Sequence, residues 1–223
     1  MNKILSRDLP PASGHSALLI IDIQNFSCTP EGGNFKGKSS NDMESYEYYF
    51  QQLSSTVLPN IQRLQKACRQ ARIEVLFTVI ESLTLDGRDR GLDYKITGFN
   101  VPRGSKDAQV IEIVKPVSDE IVIPKTSSSV FISTNIDYLL RNMECRHLII
   151  AGVLTDQCVE SAVRDACDLN YLVTLVSDAC TTFTETRHHY SLKAVNGYCR
   201  QRTTVEIIHE ISEHNEPDEH GRC

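Results

Sequence analysis

Short, almost unbroken aliphatic runs recur along the chain, and segments with helical spacing of apolar residues separate them. The first run, "ALLIID", is typical of a parallel strand covered on both faces. Six candidate strands of this kind occupy residues 17–22, 74–80, 120–125, 147–153, 171–179 and 203–208. Strands that alternate with amphipathic helices build β-α-β units with right-handed crossovers. The pattern therefore predicts an α/β fold: a single doubly wound domain with a six-stranded, mainly parallel sheet and helices on both faces.

Four segments between or after these runs have the 3.6-residue period of a helix. They cover residues 56–73, 133–143, 158–170 and 186–198. In the third segment, Cys158, Ala162 and Ala166 share one face, while Glu160 and Arg164 point outward. The segment therefore predicts a helix that begins at a cysteine and packs its apolar face on the sheet.

Length and charge narrow the classes of protein. The 223 residues favour one domain over the whole of 1–223, with residues 1–14 and 212–223 as frayed ends. A net charge of −6 argues against the basic surface that binds nucleic acid or anionic lipid. No secretory leader and no bilayer-length apolar run is apparent, so we expect a cytoplasmic protein that does not contact a membrane. The eight scattered cysteines are expected to be mostly reduced, buried thiols.

Three chemically active residues, Asp22, Lys125 and Cys158, stand at the carboxyl ends of predicted strands. Such ends share one edge of a parallel sheet, so these residues are expected to converge. A cysteine at a helix start beside an ammonium is favoured as a thiolate, and a carboxylate can accept its proton. Taken singly, each has an ordinary alternative: Cys158 as a buried structural thiol, Asp22 as a turn cap and Lys125 as a solvated charge.

Three blocks of the sequence carry a resemblance to a known family. They are "ALLIIDIQNF", "VIPKTSSSVF" and "LIIAGVLTDQCVESAVRDACDLNYLVTLVSDAC". They resemble the isochorismatase-like cysteine hydrolase superfamily, which includes nicotinamidases, N-carbamoylsarcosine amidohydrolase, ureidoacrylate amidohydrolases and biuret hydrolase. The resemblance implies an Asp-Lys-Cys triad at Asp22, Lys125 and Cys158. It also implies a cis peptide bond at Val153-Leu154, and an oxyanion hole formed by the N–H groups of Leu154 and Cys158.

The resemblance also bears on metals. Nicotinamidase-type members bind a metal through an Asp-x-His motif and a further histidine, whereas no histidine lies between His15 and His147 here. Asp86, Asp89 and Asp93 remain, and solvated loop charges are their simpler interpretation. We therefore expect neither a metal nor another cofactor.

The loops that follow the first two strands supply the candidate substrate-binding residues. These are Gln24, Phe26, Glu81, Arg88, Arg90 and Phe131, with Tyr94 as a further wall candidate. A carboxylate at Glu81 would accept N–H groups of a ureido or amide substrate, and either arginine would bind its carbonyls or a carboxylate. The alternatives are that Arg88 and Arg90 pair with neighbouring aspartates, and that Gln24 and Phe26 only pack.

The function predicted on these grounds is a metal-independent cysteine amidohydrolase. It would cleave a C–N bond of a small ureido or carboxamide substrate, of biuret or N-carbamoyl type, through a thioester. Two alternatives stay open: an isochorismatase-type hydrolase of a small carboxylate, and a catalytically silent protein that binds a small ligand. By resemblance we also expect a homodimer or homotetramer.

Overall fold

A computed structural model describes residues 6–214 as a parallel sheet with helices on both faces. The strands are β1 Ser16–Ile21, β2 Glu74–Ile80, β3 Ile121–Lys125, β4 His147–Val153, β5 Leu172–Thr181 and β6 Arg200–Arg202. Their order is β3-β2-β1-β4-β5-β6, and every neighbouring pair is parallel. The predicted fold class is thus confirmed, and the sheet is parallel throughout rather than mainly so.

The connections between strands are helical. The helices are α1 Asn25–Cys28, α2 Ser40–Glu44, α3 Glu47–Gln52, α4 Leu58–Gln70, α5 Leu92–Ile96, α6 Val130–Ser133, α7 Ile136–Asn142, α8 Glu160–Asp168, α9 Glu185–Val195 and α10 Thr204–His214. Single π-helical turns precede α4 and α8, at Leu53–Val57 and Thr155–Val159. The four predicted helices correspond to α4, α7, α8 and α9. Of the predicted frayed ends, residues 6–14 form a loop and residues 212–214 continue α10; the others lie outside the described residues.

The core has two parts because successive strand residues face opposite sides of the sheet. Along β1, Leu18 and Ile20 belong to the layer beneath α4 and α10. Ala17, Leu19 and Ile21 belong to the layer beneath α7, α8 and α9. This two-sided burial explains why the strand reads as an unbroken aliphatic run rather than as an alternating one.

The sixth strand was predicted wrongly. Residues 203–208 begin α10, where the Thr203 hydroxyl accepts a hydrogen bond from the Glu206 N–H while the Glu206 carboxylate accepts from the Thr203 N–H. This reciprocal cap starts a helix, and Ile207 and Ile211 are buried one turn apart. The true strand is Arg200–Arg202, a polar edge strand that pairs with β5 and carries no aliphatic signal.

The switch point of the fold lies between β1 and β4, the two central strands. From β1 the chain continues toward one edge of the sheet, and from β4 it continues toward the other edge. This divergence opens a crevice at the carboxyl ends of the two strands. Gly152 lets the strands approach closely there, because a Cβ at its φ of +125° would lie 2.2 Å from the Ile21 carbonyl oxygen. Within residues 6–214, no helix has the length and apolar character needed to cross a bilayer.

Candidate active site

Asp22 is the first residue after β1, and its carboxylate is fixed by β2. The backbone takes a left-handed φ of +55°, and its N–H donates to the Thr78 carbonyl at 3.1 Å. The Thr78 hydroxyl donates to Asp22 Oδ1 at 2.8 Å. This leaves Oδ2 facing Lys125, whose Nζ lies 2.9 Å away.

Lys125 ends β3, and its ammonium group lies between the Asp22 carboxylate and the Cys158 thiol. Nζ is 2.9 Å from Asp22 Oδ2, 3.3 Å from Cys158 Sγ and 2.9 Å from the carbonyl oxygen of Ser127. The side chain is fully buried. Burial disfavours the ammonium, but the Asp22 carboxylate, followed by Cys158 and Tyr94, outweighs it and raises the pKa of Lys125. Lys125 is therefore a cation at neutral pH.

Cys158 lies in the π-helical turn that joins β4 to α8. The Val153-Leu154 peptide is cis, as the resemblance predicted. The Leu154 carbonyl accepts from the N–H groups of Gln157 and Val159, at 3.0 and 3.2 Å. No acceptor among residues 6–214 hydrogen-bonds to the Leu154 N–H itself. That N–H group is thus free to serve a ligand beside Cys158, as an oxyanion hole requires.

The protonation state of Cys158 differs from the sequence-based expectation of a stabilised thiolate. Burial raises the pKa of the Cys158 thiol to about 12; the Lys125 ammonium lowers it, and the Asp22 carboxylate raises it again. Desolvation and the nearby anion therefore outweigh the helix start and the lysine. The thiol is neutral at pH 7, so it needs a base when it attacks, and Asp22 is the adjacent one.

Tyr94 makes contacts that the sequence did not reveal. Its hydroxyl accepts a hydrogen bond from Lys125 Nζ at 3.3 Å and lies 4.0 Å from Cys158 Sγ. The residue is 3% exposed, and burial is the main cause that raises its pKa, so the phenol keeps its proton. Because the Tyr94 hydroxyl oxygen accepts the hydrogen bond from the Lys125 ammonium, the hydroxyl proton can point toward Cys158 Sγ.

A cavity of about 360 Å³ opens above Cys158 and Asp22. Phe26, Ile80 and Phe99 form apolar walls, and Asn34 and Asp93 are among its polar groups. The walls come mainly from the segments after β1 and β2, which the sequence predicted as walls. Asn34, Asp93 and Phe99 were not predicted as binding residues, because loop residues follow no periodic pattern that would identify the side facing a ligand.

The predicted substrate-binding residues do not all reach the cavity. Phe26 lines it. Gln24 is fully buried, and its side chain joins the end of β2 to the segment around Asp107. Its amide N–H groups donate to the carbonyls of Ile80 and Asp107, and its Oε1 accepts from the Ile80 N–H. Its alternative interpretation, packing, describes this position better. Glu81 accepts a hydrogen bond from the Gly104 N–H at 2.7 Å, and it is not among the residues that line the cavity.

The remaining three candidates lie away from the cavity lining. Arg88 pairs with Asp86 at 2.9 Å on the exposed surface, which is the alternative the sequence left open. Arg90 donates to the carbonyls of Gly87 and Phe99, at 2.8 and 2.6 Å. Phe131 packs against the Tyr171 ring, 5.9 Å between centroids, in the core layer that also contains Cys158. None of the three residues is among those that line the cavity.

The side chains that could bind a metal are dispersed. Over residues 6–214, no group of three or more His, Cys, Asp or Glu side chains is placed to hold a metal ion. Metal independence stays a prediction that chelation must test.

Two curated proteins that are similar to this chain are ureidoacrylate amidohydrolases. Ureidoacrylate amidohydrolase RutB of Serratia proteamaculans is 27% identical over 184 residues, which are 75% of this chain and 70% of that protein. RutB of Variovorax paradoxus is 38% identical over 85 residues, 38% of this chain and 34% of that protein.

Two solved structures share the fold. A cysteine hydrolase from Pseudomonas syringae pv. phaseolicola has a TM-score of 0.80 at 24% identity and covers 96% of this chain and 100% of its own. N-carbamoylsarcosine amidase from Thermoplasma acidophilum has a TM-score of 0.64 at 20% identity, covering 85% and 96%. The Isochorismatase domain matches residues 16–207, most of the chain. This chain therefore belongs to the isochorismatase family of hydrolases.

Proposed function

We propose that the protein is a cysteine amidohydrolase that cleaves a C–N bond of a small ureido or carboxamide substrate through a thioester on Cys158. The observation that carries the proposal is the buried contact of three groups: Lys125 Nζ lies 2.9 Å from the Asp22 carboxylate and 3.3 Å from the Cys158 thiol. Burying charged groups costs free energy. A group of buried ionisable side chains at the floor of a cavity therefore favours a chemical role over a purely structural one.

In the acylation step, the substrate carbonyl lies above Cys158 with its oxygen toward the N–H groups of Leu154 and Cys158. Asp22 takes the thiol proton as sulfur forms a bond to the carbonyl carbon, and the negative charge passes to the carbonyl oxygen. The protonated Asp22 then donates this proton to the departing nitrogen, the C–N bond breaks, and an amine or ammonia leaves. The product that remains is a thioester.

Deacylation uses the same groups in the reverse sense. Asp22, again a carboxylate, takes a proton from a water molecule that attacks the thioester carbon. Collapse of the second tetrahedral intermediate breaks the C–S bond, and the proton on Asp22 returns to sulfur. The cysteine thiol and the acid product are formed, and no metal takes part.

Cavity size and the relatives support a small amide as substrate. A volume of about 360 Å³ is at the low end of the range for small-molecule sites, so it fits a substrate of few heavy atoms. The curated relatives are named for ureidoacrylate, and a solved relative is named for N-carbamoylsarcosine. Both names denote compounds that carry a ureido group.

A screen for ammonia release tests the proposal. Biuret, N-carbamoylsarcosine, ureidoacrylate and nicotinamide would be incubated with wild-type enzyme, with and without a chelator. We expect turnover of at least one ureido compound, unaffected by chelation, and a loss of about a thousandfold or more in Cys158→Ala. A transient mass increase equal to the acyl group should be found on the Cys158 peptide.

Cys180→Ala is the matched control, because Cys180 is also a buried thiol but forms part of β5. It should retain activity. Equal losses in the two variants, or activity that survives in Cys158→Ala, would contradict the nucleophile assignment. Failure to hydrolyse any amide in the screen would favour a silent ligand-binding protein, and dependence on metal would reject the metal-independent mechanism.

A further inference from the structure

The charge of the cavity selects among the substrates that the proposed amidase chemistry would allow. Four titratable side chains line the cavity: Asp22, Asp93, Tyr94 and Cys158. Its lining contains no lysine, arginine or histidine among the residues that the structure describes. Lys125 lies directly beneath and compensates Asp22 at 2.9 Å. Since Tyr94 and Cys158 are neutral, Asp93 leaves the cavity with one uncompensated negative charge.

Asp93 is held at the cavity by its neighbours in α5. The Gly91 N–H, which caps this helix, donates to the Thr126 carbonyl at 2.9 Å and so fastens α5 to the segment after β3. The next residue, Tyr94, is buried with its hydroxyl on Lys125. The Asp93 side chain is exposed and has no hydrogen-bond or ion-pair partner within residues 6–214. Its carboxylate is therefore available to a ligand.

The arginines nearest in sequence cannot reverse this charge without breaking other contacts. Arg88 is paired with Asp86 on the exposed surface. Arg90 uses Nε and Nη1 on the carbonyl oxygens of Gly87 and Phe99, which shape the loop leading into α5 and the cavity wall. Among the described residues that line the cavity, none is a cation that could bind a substrate carboxylate beside Asp93.

We propose that Asp93 makes the site prefer neutral or cationic ureido or carboxamide substrates over those that carry a carboxylate. The Asp93 carboxylate accepts N–H or O–H donors, or an ammonium, at the end of the substrate distant from the scissile carbonyl. Two like charges repel, whereas an ammonium is attracted, and because Asp93 is exposed this effect is strongest at low salt. The inference rests on the proposed function for the identity of the reacting group, but it makes a separate statement about binding.

Direct binding to the Cys158→Ala protein tests this statement without turnover. The probes are three nearly isosteric ureas: N-carbamoylglycine, an anion; 2-hydroxyethylurea, which is neutral; and 2-aminoethylurea, a cation. Isothermal titration calorimetry at low salt would give each dissociation constant. We expect the anion to bind at least tenfold more weakly than the neutral urea, and the cation to bind as tightly as the neutral urea or more so.

Two second-site variants in the Cys158→Ala protein assign the effect to Asp93. Asp93→Asn should bring the three dissociation constants within about threefold, and Asp93→Lys should make the anion the tightest of the three. Asp119→Asn is the matched control, because Asp119 is an exposed acid just before β3, at the opposite end of the strands. It changes the net charge equally and should leave the order of affinities as in the parent.

Each outcome bears on the proposal. Preference for the anion in the parent, an unchanged order in Asp93→Asn, or equal effects of the Asp93 and Asp119 variants would overturn it, and so would binding of none of the three ureas. Urea unfolding of each variant checks that the fold is retained. The ammonia-release screen fails or succeeds separately: charge selection with no Cys158-dependent turnover would reject the amidase and keep the binding preference.

Discussion

The buried Asp22–Lys125 ion pair allows a quantitative test of how the site is held together. Lys125 is 0% exposed and Asp22 2%, with 2.9 Å between Nζ and Oδ2. Removing one partner of such a pair leaves an unpaired buried charge and costs about 3–5 kcal/mol. We therefore expect Lys125→Met and Asp22→Asn each to lower the free energy of unfolding by that amount. The double variant removes both charges at similar volume and should lose no more than about 2 kcal/mol.

Equilibrium urea unfolding at pH 7.5 measures these differences, provided that the m-value stays constant among the variants. Arg88→Met is the control, because Arg88 and Asp86 form an exposed pair, 72% and 61% accessible, which solvent screens and which should contribute little to stability. A double variant that loses the sum of the two single losses would refute the reasoning, because the two charges would then be independent. If Lys125→Met and Asp22→Asn each lowered the free energy of unfolding as little as Arg88→Met does, water would have to solvate the two charges in the folded protein.

Four further expectations concern other residues. Tyr94→Phe should lower kcat/KM about 10- to 100-fold with little change in KM and should shift the pH profile of Cys158 alkylation, because it removes a donor at 4.0 Å from sulfur. Burial lowers the pKa of His147 to about 4. Between pH 7 and pH 5 an unfolded histidine, with a pKa near 6.5, takes up a proton that the folded protein does not, so the free energy of unfolding should fall by about 2 kcal/mol. His147→Gln should remove this pH dependence. The Cys158 thiol has a raised pKa in the folded state, so stability is retained below about pH 9 and should be lost as the pH rises above it, which unfolding under reducing conditions will show. Gly152→Ala should cost more than about 2 kcal/mol in urea unfolding and displace Asp22, whereas Gly14→Ala, also at positive φ but in open space, should cost about 1 kcal/mol.

The sequence predicted the sheet well where burial on both faces leaves a strong signal. The first five strands were placed within two residues at each end, because each is an aliphatic run. The sixth failed because "TTVEII" contains too few residues to separate period 2 from period 3.6. Two interactions make this segment a helix: the Thr203–Glu206 cap at its start and the packing of Ile207 against α4. The second depends on residues elsewhere in the fold, which the local sequence does not reveal.

That Asp22, Lys125 and Cys158 come together was predictable for a different reason, because the topology of the sheet fixes their positions. Asp22 follows β1, Lys125 is the last residue of β3, and Cys158 follows β4; parallel strands bring all three carboxyl ends to one edge. The substrate-binding residues were less predictable. Arg88 and Arg90 carry suitable chemistry, but local carbonyls and Asp86 take up their hydrogen bonds, and such competition follows from loop conformation rather than from residue type.

The position of Lys125 explains how a neutral thiol can be used in so dry a site. In the proposed mechanism, transfer of the thiol proton to Asp22 moves one negative charge from the carboxylate to sulfur and leaves the total unchanged. Lys125 Nζ is 2.9 Å from the first location of this charge and 3.3 Å from the second. The ammonium therefore compensates the anion before and after transfer, whereas a cation beside only one of them would trap the charge there. The raised pKa of free Cys158 is then consistent with catalysis, because the thiolate needs to exist only when substrate is present and Asp22 takes its proton.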